Sequence, residues 1–190
     1  MAFRFFKLLA LAVVFSLPLR GEGPAATERG LFELTRSPCL EVDFVQRSFF
    51  GSSVETYEGT LIKRGNLVRV VYRTEPPFRV VYDGRTVELG YAGERPQRFK
   101  PEDYPNPVLT VLLNLDRLER VFFAEGCVRE GAVLRCSLRP GDEGVEPYLK
   151  RVEVTLERGR PLEVLAEGEE YGRVEFKVLR WNDRCPSEGF

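Results

Sequence analysis

Residues 57–91 constrain the fold most, because four short β-rich runs are separated there by residues typical of tight turns. These turn residues are Gly65-Asn66, Pro76-Pro77 and Asp83-Gly84. Asp-Gly and Gly-Asn between β-branched runs are strong hairpin signals, because these residues reach positive φ at low cost. The stretch therefore predicts a four-stranded antiparallel meander around which the rest of the chain is arranged.

Alternation within this meander predicts which side chains point to a common interior. Val68, Val70 and Tyr72 share one face of their strand, because successive side chains of a strand point to opposite sides. In the preceding strand we interpret the row containing Ile62 and Arg64 as inward-facing. A guanidinium is therefore predicted at the end of that row, with a solvated strand-end arginine as the alternative.

The first residues have the composition of an export signal. Arg4 and Lys7 precede a largely apolar run at residues 8–19. That run is shorter than the roughly 20 residues that span a bilayer, and it suits the apolar core of a secretory signal. The sequence predicts a signal peptide over residues 1–23, with the cleavage position left open, and one domain over residues 24–190.

Charge and residue types exclude several functions. Lys and Arg number 28 against 29 Asp and Glu, a formal charge of −1, so nucleic acid is not an expected partner. The chain has no His, which removes His-based acid–base catalysis and imidazole metal sites. Glu169 and Glu170 are better interpreted as a solvated turn than as a catalytic pair. We expect no enzyme activity, no metal and no cofactor.

The segment from Cys127 to Cys136 is predicted to be a disulfide-linked hairpin. A two-residue loop at Gly131-Ala132, of type II′ with Gly first, pairs Glu130 with Val133. Counting outward places the two cysteines opposite each other, in a closely spaced ladder position that suits a disulfide.

The remaining cysteines, Cys39 and Cys185, are then predicted to pair by elimination, joining the first strand to the end of the chain. Four reduced thiols are the alternative, which export to an oxidising compartment disfavours.

One strong helix signal follows a long polar loop. Residues 92–106 are rich in proline, with one edge strand predicted at residues 97–99. Asn106 is a suitable N-cap and Pro107 suits the first helical position. The helix predicted up to Leu118 is apolar nearly all round, which is typical of a buried helix. We expect it to plug the sheet, with Leu109 and Leu112 on its apolar surface.

The remaining runs are mostly strands. Residues 27–36 predict a short amphipathic helix, after which Leu40, Val42 and Phe44 alternate with other side chains in a strand reaching about Phe50. The last three strands alternate cleanly, and their predicted inward rows are Val152, Val154 and Leu156; Leu162, Val164 and Ala166; and Val174, Phe176 and Val178. The fold class predicted is mainly β: an antiparallel, incomplete (open) β-barrel of about ten strands with a helical lid or plug.

Two motifs of the meander resemble the periplasmic outer-membrane lipoprotein carrier family, the LolA type. Residues 59–67 read Gly-Thr-Leu-Ile-Lys-Arg-Gly-Asn-Leu and residues 81–87 read Val-Tyr-Asp-Gly-Arg-Thr-Val. The family pattern is roughly G-x-L-x-x-K-R-P-N-L-F-x-W, then V-x-D-G-K-T-L-W. Asn106-Pro107 before an apolar helix is similar to the family's lid. The chain departs from the pattern at Gly65, where the family has Pro, and at Val68 and Val70, where aromatic residues are common.

The resemblance implies a soluble, monomeric periplasmic chaperone that carries lipoproteins from the inner to the outer membrane. Its partners would be acylated lipoproteins as cargo, an inner-membrane lipoprotein-releasing transporter and an outer-membrane receptor. Arg64 matches the family's lid latch, which we expect to bind carbonyls near residues 109–113. The residues expected to line the acyl cavity are Val42, Phe44, Ile62, Val68, Val70, Tyr72, Leu109 and Leu112.

Two other binding functions stay open: a carrier of another amphiphile, such as a glycolipid, and a non-enzymatic regulatory module of the same fold that senses lipoproteins. An enzyme is a more distant alternative, because two catalytic carboxylates need not be close in sequence.

The disulfide pattern is directly testable. Peptide mapping under non-reducing conditions should recover Cys127 joined to Cys136 and Cys39 joined to Cys185. The long-range bridge should contribute more to the free energy of unfolding, by a few kcal/mol, because it closes the larger loop. Recovery of Cys39 joined to Cys127 or Cys136 would show that the hairpin register is wrong.

Overall fold

The computed structural model describes residues 36–103, 111, 114–143, 145–168 and 172–184. Within them lie eleven strands and two short 3₁₀ helices, Pro101–Asp103 and Leu115–Arg120. The strands are β1 Cys39–Phe50, β2 Ser53–Arg64, β3 Leu67–Tyr72, β4 Phe78–Tyr82, β5 Val87–Tyr91, β6 Gln97–Phe99, β7 Phe122–Glu130, β8 Val133–Pro140, β9 Arg151–Glu157, β10 Arg160–Gly168 and β11 Gly172–Asn182.

All eleven strands belong to one antiparallel sheet, in the order β6-β5-β4-β3-β2-β1-β11-β10-β9-β8-β7. Its two outermost strands, β6 and β7, do not pair with each other, so the sheet is open. Most neighbours in the sheet are also neighbours in sequence, as expected of hairpins. The exception is the antiparallel pairing of β1 with β11, which joins the two halves. The predicted class, a mainly β open barrel, is confirmed, with eleven strands instead of about ten.

The hairpins form where the turn residues predicted them. Gly65 and Gly131 both have positive φ, 54° and 61°, in the turns after β2 and β7. Glu130 lies opposite Val133, and Cys127 opposite Cys136 with Cα atoms 4.1 Å apart and a disulfide between them. Cys39 is also in a disulfide. Its predicted partner, Cys185, lies outside the described residues, so that pairing stays a prediction.

One face of the sheet carries a continuous apolar surface, which we call the inner face. Phe44 of β1, Leu61 of β2 and Val70 of β3 belong to it, and each is at most 2% exposed. The surface continues across the other half through Val154 of β9 and Phe176 of β11, in one hydrophobic cluster. Because burial alternates along most strands, a single row of each strand supplies the core.

The segment covering part of the inner face is not the regular helix that the sequence predicted. Val111 is helical, but Leu115–Arg120 is a 3₁₀ helix interrupted at Arg117, which has φ −144° and ψ 41°. Asn114 and Asp116 favour caps and turns over helix interiors. Burial of Leu115 and of Leu118, each at most 3% exposed, anchors this covering segment on the sheet. The remaining part of the predicted helix lies outside the described residues, as does the helix predicted at residues 27–36 except for Arg36.

A bulge in β10 corrects one predicted row. The register of β10 against β9 shifts between Pro161 and Glu163. Leu162, predicted to face inward with Val164, is therefore 39% exposed, while Pro161 is buried in its place. An extra residue in one strand reverses the direction of the side chains before it, which a strict alternation does not anticipate.

Polar contacts on the outer face bind the two halves of the sheet together. Asp43 of β1 accepts hydrogen bonds from Thr60 of β2, 2.6 Å, and from Nε of Arg180 of β11, 2.8 Å. Burial raises the pKa of Asp43, but these bonds and the charges of Arg180 and Arg73 outweigh burial and lower the pKa below its usual range. The carboxylate therefore stays charged between strands from distant parts of the sequence.

None of the helices in the described ranges is long and apolar enough to be a membrane span.

Gly59 is required by close packing on the inner face. A Cβ at this position would overlap the Phe44 ring and lie 2.9 Å from the carbonyl oxygen of Val71. Gly59→Ala should therefore lower the free energy of unfolding by about 1–3 kcal/mol, as overpacked core substitutions do. Denaturant titration of both proteins measures the difference.

Gly126→Ala is the matched control, because a Cβ there meets no heavy atom within 4 Å and the backbone has no positive φ. It should change stability by less than about 1 kcal/mol. Equal effects of the two substitutions would contradict the packing assigned to Gly59.

Candidate functional site

Most of the sequence-predicted cavity residues lie together on the inner face. Val42 and Phe44 are each 1% exposed, Val68 is 5% exposed, Val70 2% and Tyr72 0%. Leu109 and Leu112 lie outside the described residues. Binding of an acyl chain by this row stays a prediction.

Ile62 does not belong to this row. It lies opposite Glu41 of β1 and Arg69 of β3, and residues directly opposite in an antiparallel sheet share a face. Leu61, which lies opposite Val42 and Val70, faces inward instead. The inward assignment of Ile62 was therefore wrong by one residue, which is enough to place a side chain on the other face of a strand.

The same shift moves Arg64 to the outer face and places Lys63 on the inner face. Lys63 is 2% exposed, whereas Arg64 is only partly buried. The signal was available in the sequence, because the two-residue turn at Gly65-Asn66 pairs Lys63 with Val68. Counting outward from that turn, as for the cysteine hairpin, assigns the ammonium to the inner face. The carbonyls expected to bind Arg64 lie mostly outside the described residues, so the latch stays a prediction.

Lys63 connects the sheet to the covering segment. Its ammonium donates a hydrogen bond to the carbonyl oxygen of Ser37, 2.8 Å away, and to Oδ1 of Asp116 in a salt bridge. The lysine side chain is 2% exposed and the aspartate side chain 52% exposed. Removing the partner of a buried charge is strongly destabilising, so this contact helps to hold the covering segment against the sheet.

A cavity of about 210 Å³ lies beside this ion pair. Turns and the covering segment form its walls, which are lined by Lys63, Gly65, Asn66, Val68, Tyr82, Gly84, Leu115 and Asp116. Gly65 and Asn66 are exposed, so the cavity opens to solvent beside the turn after β2. Val68 and Leu115 belong to the hydrophobic core. The cavity therefore has a polar mouth and an apolar side that continues into the inner face.

Tyr82 contributes a phenol to the cavity wall. Burial raises its pKa, and the nearby carboxylates of Asp83 and Glu102 raise it further. The hydroxyl is therefore protonated at neutral pH and can donate a hydrogen bond to a group in the cavity.

Away from Lys63, the inner face becomes polar at Gln46 and Ser48. The Tyr72 hydroxyl donates to Oε1 of Gln46, 3.1 Å away, and Nε2 of Gln46 donates to Oγ of Ser48, 2.9 Å away. Burial, and then the neighbouring Tyr57, raise the pKa of Tyr72 far above its ordinary value. Alternation within the predicted strand continues the row of Leu40, Val42 and Phe44 to Gln46 and Ser48, but it does not show that these two side chains are buried and bonded to each other.

Other aromatic rings pack against the ring of Tyr72. Phe44 meets the Tyr72 ring edge-on at 5.7 Å between centroids, and Tyr57 does so at 6.3 Å. Edge-to-face contacts of this kind are favourable and fix the orientation of the rings. The apolar row is thus bounded by a rigid aromatic and polar group at one end and by Lys63 at the other.

Across the described ranges, no group of three or more His, Cys, Asp or Glu side chains is placed to hold a metal ion. The described residues of the site offer an apolar surface, the buried ammonium of Lys63 and several neutral hydrogen-bonding groups.

No protein-family profile matches this chain, and no curated protein does either. Among solved structures, it is similar to the LolA superfamily protein NE2245 from Nitrosomonas europaea, with 10% identity and a TM-score of 0.46 over 87% of this chain and 96% of that one. It is also similar to a DUF1329 family protein from Desulfovibrio piger, with 11% identity and a TM-score of 0.44 over 76% of this chain and 85% of that one.

A third similar structure is LprF from Mycobacterium bovis, with 10% identity and a TM-score of 0.41 over 88% of this chain and 99% of that one. At these identities and TM-scores, no statement about function follows from the likenesses.

The buried hydroxyl of Tyr72 should contribute measurably to stability. Tyr72→Phe removes one donor to Gln46 in a buried place, so the free energy of unfolding should fall by about 1 kcal/mol. Tyr57→Phe is the control, because that hydroxyl bonds Glu55 on a half-buried residue. Its effect should be less than about 0.5 kcal/mol, since hydrogen bonds near water exchange with solvent. Denaturant titration measures the free energy of unfolding of both variants. A larger loss for Tyr57→Phe than for Tyr72→Phe would contradict the buried hydrogen-bond network.

Proposed function

We propose that this protein is a soluble periplasmic carrier that binds the acyl chains of lipoproteins on its inner face and takes them from the inner to the outer membrane. The observation that supports this proposal best is the open sheet with one continuous apolar face. A signal peptide at residues 1–23 would deliver the domain at residues 24–190 to the periplasm. No step of this function requires catalysis or a cofactor.

The physical task of such a carrier is to keep an acyl chain dry. Each buried CH₂ group is worth about 0.8 kcal/mol, so moving a whole acyl chain through water costs on the order of 10 kcal/mol. An apolar sheet face of this extent can replace water along the chain. The open sheet supplies the face, and we propose that the acyl chain enters between its outer strands.

An apolar face must also be covered when no cargo is bound. Here Leu115 and Leu118 of the covering segment are buried against the core. The segment is a short, interrupted 3₁₀ helix, and such segments have few internal hydrogen bonds to lose. We propose that cargo displaces this segment, and that the acyl chain then buries the surface that Leu115 and Leu118 had covered.

Lys63 and Arg64 have different positions in this scheme. Lys63 contacts the covering segment through Asp116 and is the residue we propose to hold it closed. The latch proposed for Arg64 would have to reach carbonyls near residues 109–113 from the outer face. An inner-membrane releasing transporter and an outer-membrane receptor remain the proposed partners for loading and delivery.

Photolabelling tests the carrier function and locates the cargo. A triacylated peptide with a photoreactive group in one acyl chain should label inner-face positions of β3, such as Val70 and Tyr72. An environment-sensitive apolar dye bound to the protein should be displaced by that peptide. The same peptide without acyl chains should neither label the protein nor displace the dye.

Labelling of exposed apolar side chains provides the internal control. Val128 and Leu179 are 64% and 54% exposed, and a chain that adheres without a site would react there. Labelling confined to such positions, or equal displacement by both peptides, would contradict the proposed function.

A further inference from the structure

A buried ammonium at the edge of an apolar face needs an explanation. Lys63 is 2% exposed and lies opposite Val68, whose side chain belongs to the core. Burial of a charge is costly unless the charge is paired and hydrogen-bonded. A methionine or leucine would fill the same place without this cost, so the position suits a side chain that binds an anion.

Asp116, which forms a salt bridge with Lys63, is placed for exchange. Asp116 is 52% exposed, so its carboxylate can return to water at low cost, whereas the ammonium cannot. Asp116 also lies next to Arg117, where the 3₁₀ helix is interrupted. The fixed partner of the ion pair therefore belongs to the sheet, and the exchangeable partner belongs to the covering segment.

The adjoining cavity has the size of a head group. Its volume of about 210 Å³ is smaller than the roughly 300–1,000 Å³ of pockets that enclose a whole drug-sized ligand. A carboxylate or phosphate with a few attached carbon atoms fits, and an acyl chain does not. Val68 lies both in the cavity wall and in the apolar row. A chain attached to such a head group would therefore continue along the inner face.

The other polar groups of the cavity are compatible with an anion. The Tyr82 hydroxyl and the Asn66 side-chain amide can each donate a hydrogen bond. Asp83, next to Tyr82 in sequence, accepts hydrogen bonds from the backbone N–H of Arg85, 2.9 Å away, and of Thr86, 2.7 Å away. These bonds stabilise its own turn, and its charge helps to raise the pKa of the Tyr82 hydroxyl, which keeps its proton.

We infer that this cavity is a head-group subsite for an acyl amphiphile that carries a carboxylate or a phosphate. The ligand anion takes the place of Asp116 on Lys63, and its acyl chain lies along the inner face from Val68 onward. Release of Asp116 frees the covering segment, so recognition of the head group uncovers the surface that the chain needs. The inference rests on the proposed acyl-binding function and restricts it to anionic amphiphiles.

Four probes distinguish the charge from the chain: oleate, oleoyl lysophosphatidate, monoolein and inorganic phosphate. Calorimetric titration of the full-length exported protein, below the micelle concentration of each lipid, should give oleate and lysophosphatidate at least tenfold tighter binding than monoolein. Inorganic phosphate at millimolar concentration should weaken binding of both anionic lipids and leave monoolein unchanged. Phosphate that binds as tightly as the lipids would overturn the inference, since the site would then serve the free anion.

Two substitutions test the exchange at Lys63. Lys63→Met removes the ammonium with little change of volume and should abolish the preference for anionic lipids. Asp116→Asn removes the competing carboxylate and should tighten the binding of oleate severalfold without affecting monoolein. Glu119→Gln is the matched control, because Glu119 lies on the same segment but pairs with Arg36. It should leave all four affinities unchanged.

The outcomes separate the inference from the function on which it rests. If the anionic lipids and monoolein bind equally, and Asp116→Asn changes neither, the head-group subsite is wrong while acyl binding stands. If no lipid binds, both are wrong. If Lys63→Met does not fold, Asp116→Asn and its control still decide, because the asparagine keeps the Oδ1 acceptor and the carbonyl oxygen of Ser37 also accepts a hydrogen bond from the ammonium.

Discussion

The pairing of β1 with β11 is the interaction on which the rest of the structure depends. It joins the first and last strands, which are separated by nearly the whole described chain, into one antiparallel ladder. Such a long-range contact must repay the entropy of closing a large loop. Backbone hydrogen bonds between the two strands supply part of the free energy that offsets this entropy. The contact between Arg180 and Asp43 adds a charged interaction on the outer face. Without it, two smaller sheets would each expose an unpaired edge and half of an apolar face.

That apolar face sets the second constraint. In aqueous solution the face must be covered by other parts of the protein, and it must still be accessible to a ligand. The covering segment meets both demands with little secondary structure of its own: buried Leu115 and Leu118 hold it, and an interrupted 3₁₀ helix connects them. The polar groups at the two ends of the inner row have different characters. Gln46 and Ser48 are fully buried and bonded to each other, which suits a permanent boundary. Lys63 is bonded to a largely exposed carboxylate, which suits a boundary that a ligand can open.

The sequence predicted the parts of the site that depend on neighbours in the chain. Val42, Phe44, Val68, Val70 and Tyr72 share a face because alternation within a strand is local. The prediction from sequence was wrong about the direction of Ile62 and Arg64, and again about that of Leu162. The first error assigned the wrong alternate residues of β2 to the inner face, although the turn at residues 65–66 determines which residues face inward. The second error followed from the bulge in β10. A single residue reverses a strand face in both cases, so errors of this size change the chemistry assigned to a site, here from an arginine to a lysine.

By itself, the sequence determined the hairpins, the register of the Cys127–Cys136 ladder and the mainly β class, because turn residues and alternating side chains act over a few positions. The tertiary structure decided which strands close the two halves into one sheet, that the segment around Leu115 forms a broken 3₁₀ helix, and that Lys63 meets Asp116 beside a cavity. Those features depend on contacts between residues far apart in the chain. Their energies come from burial and pairing in three dimensions, which local propensities do not contain.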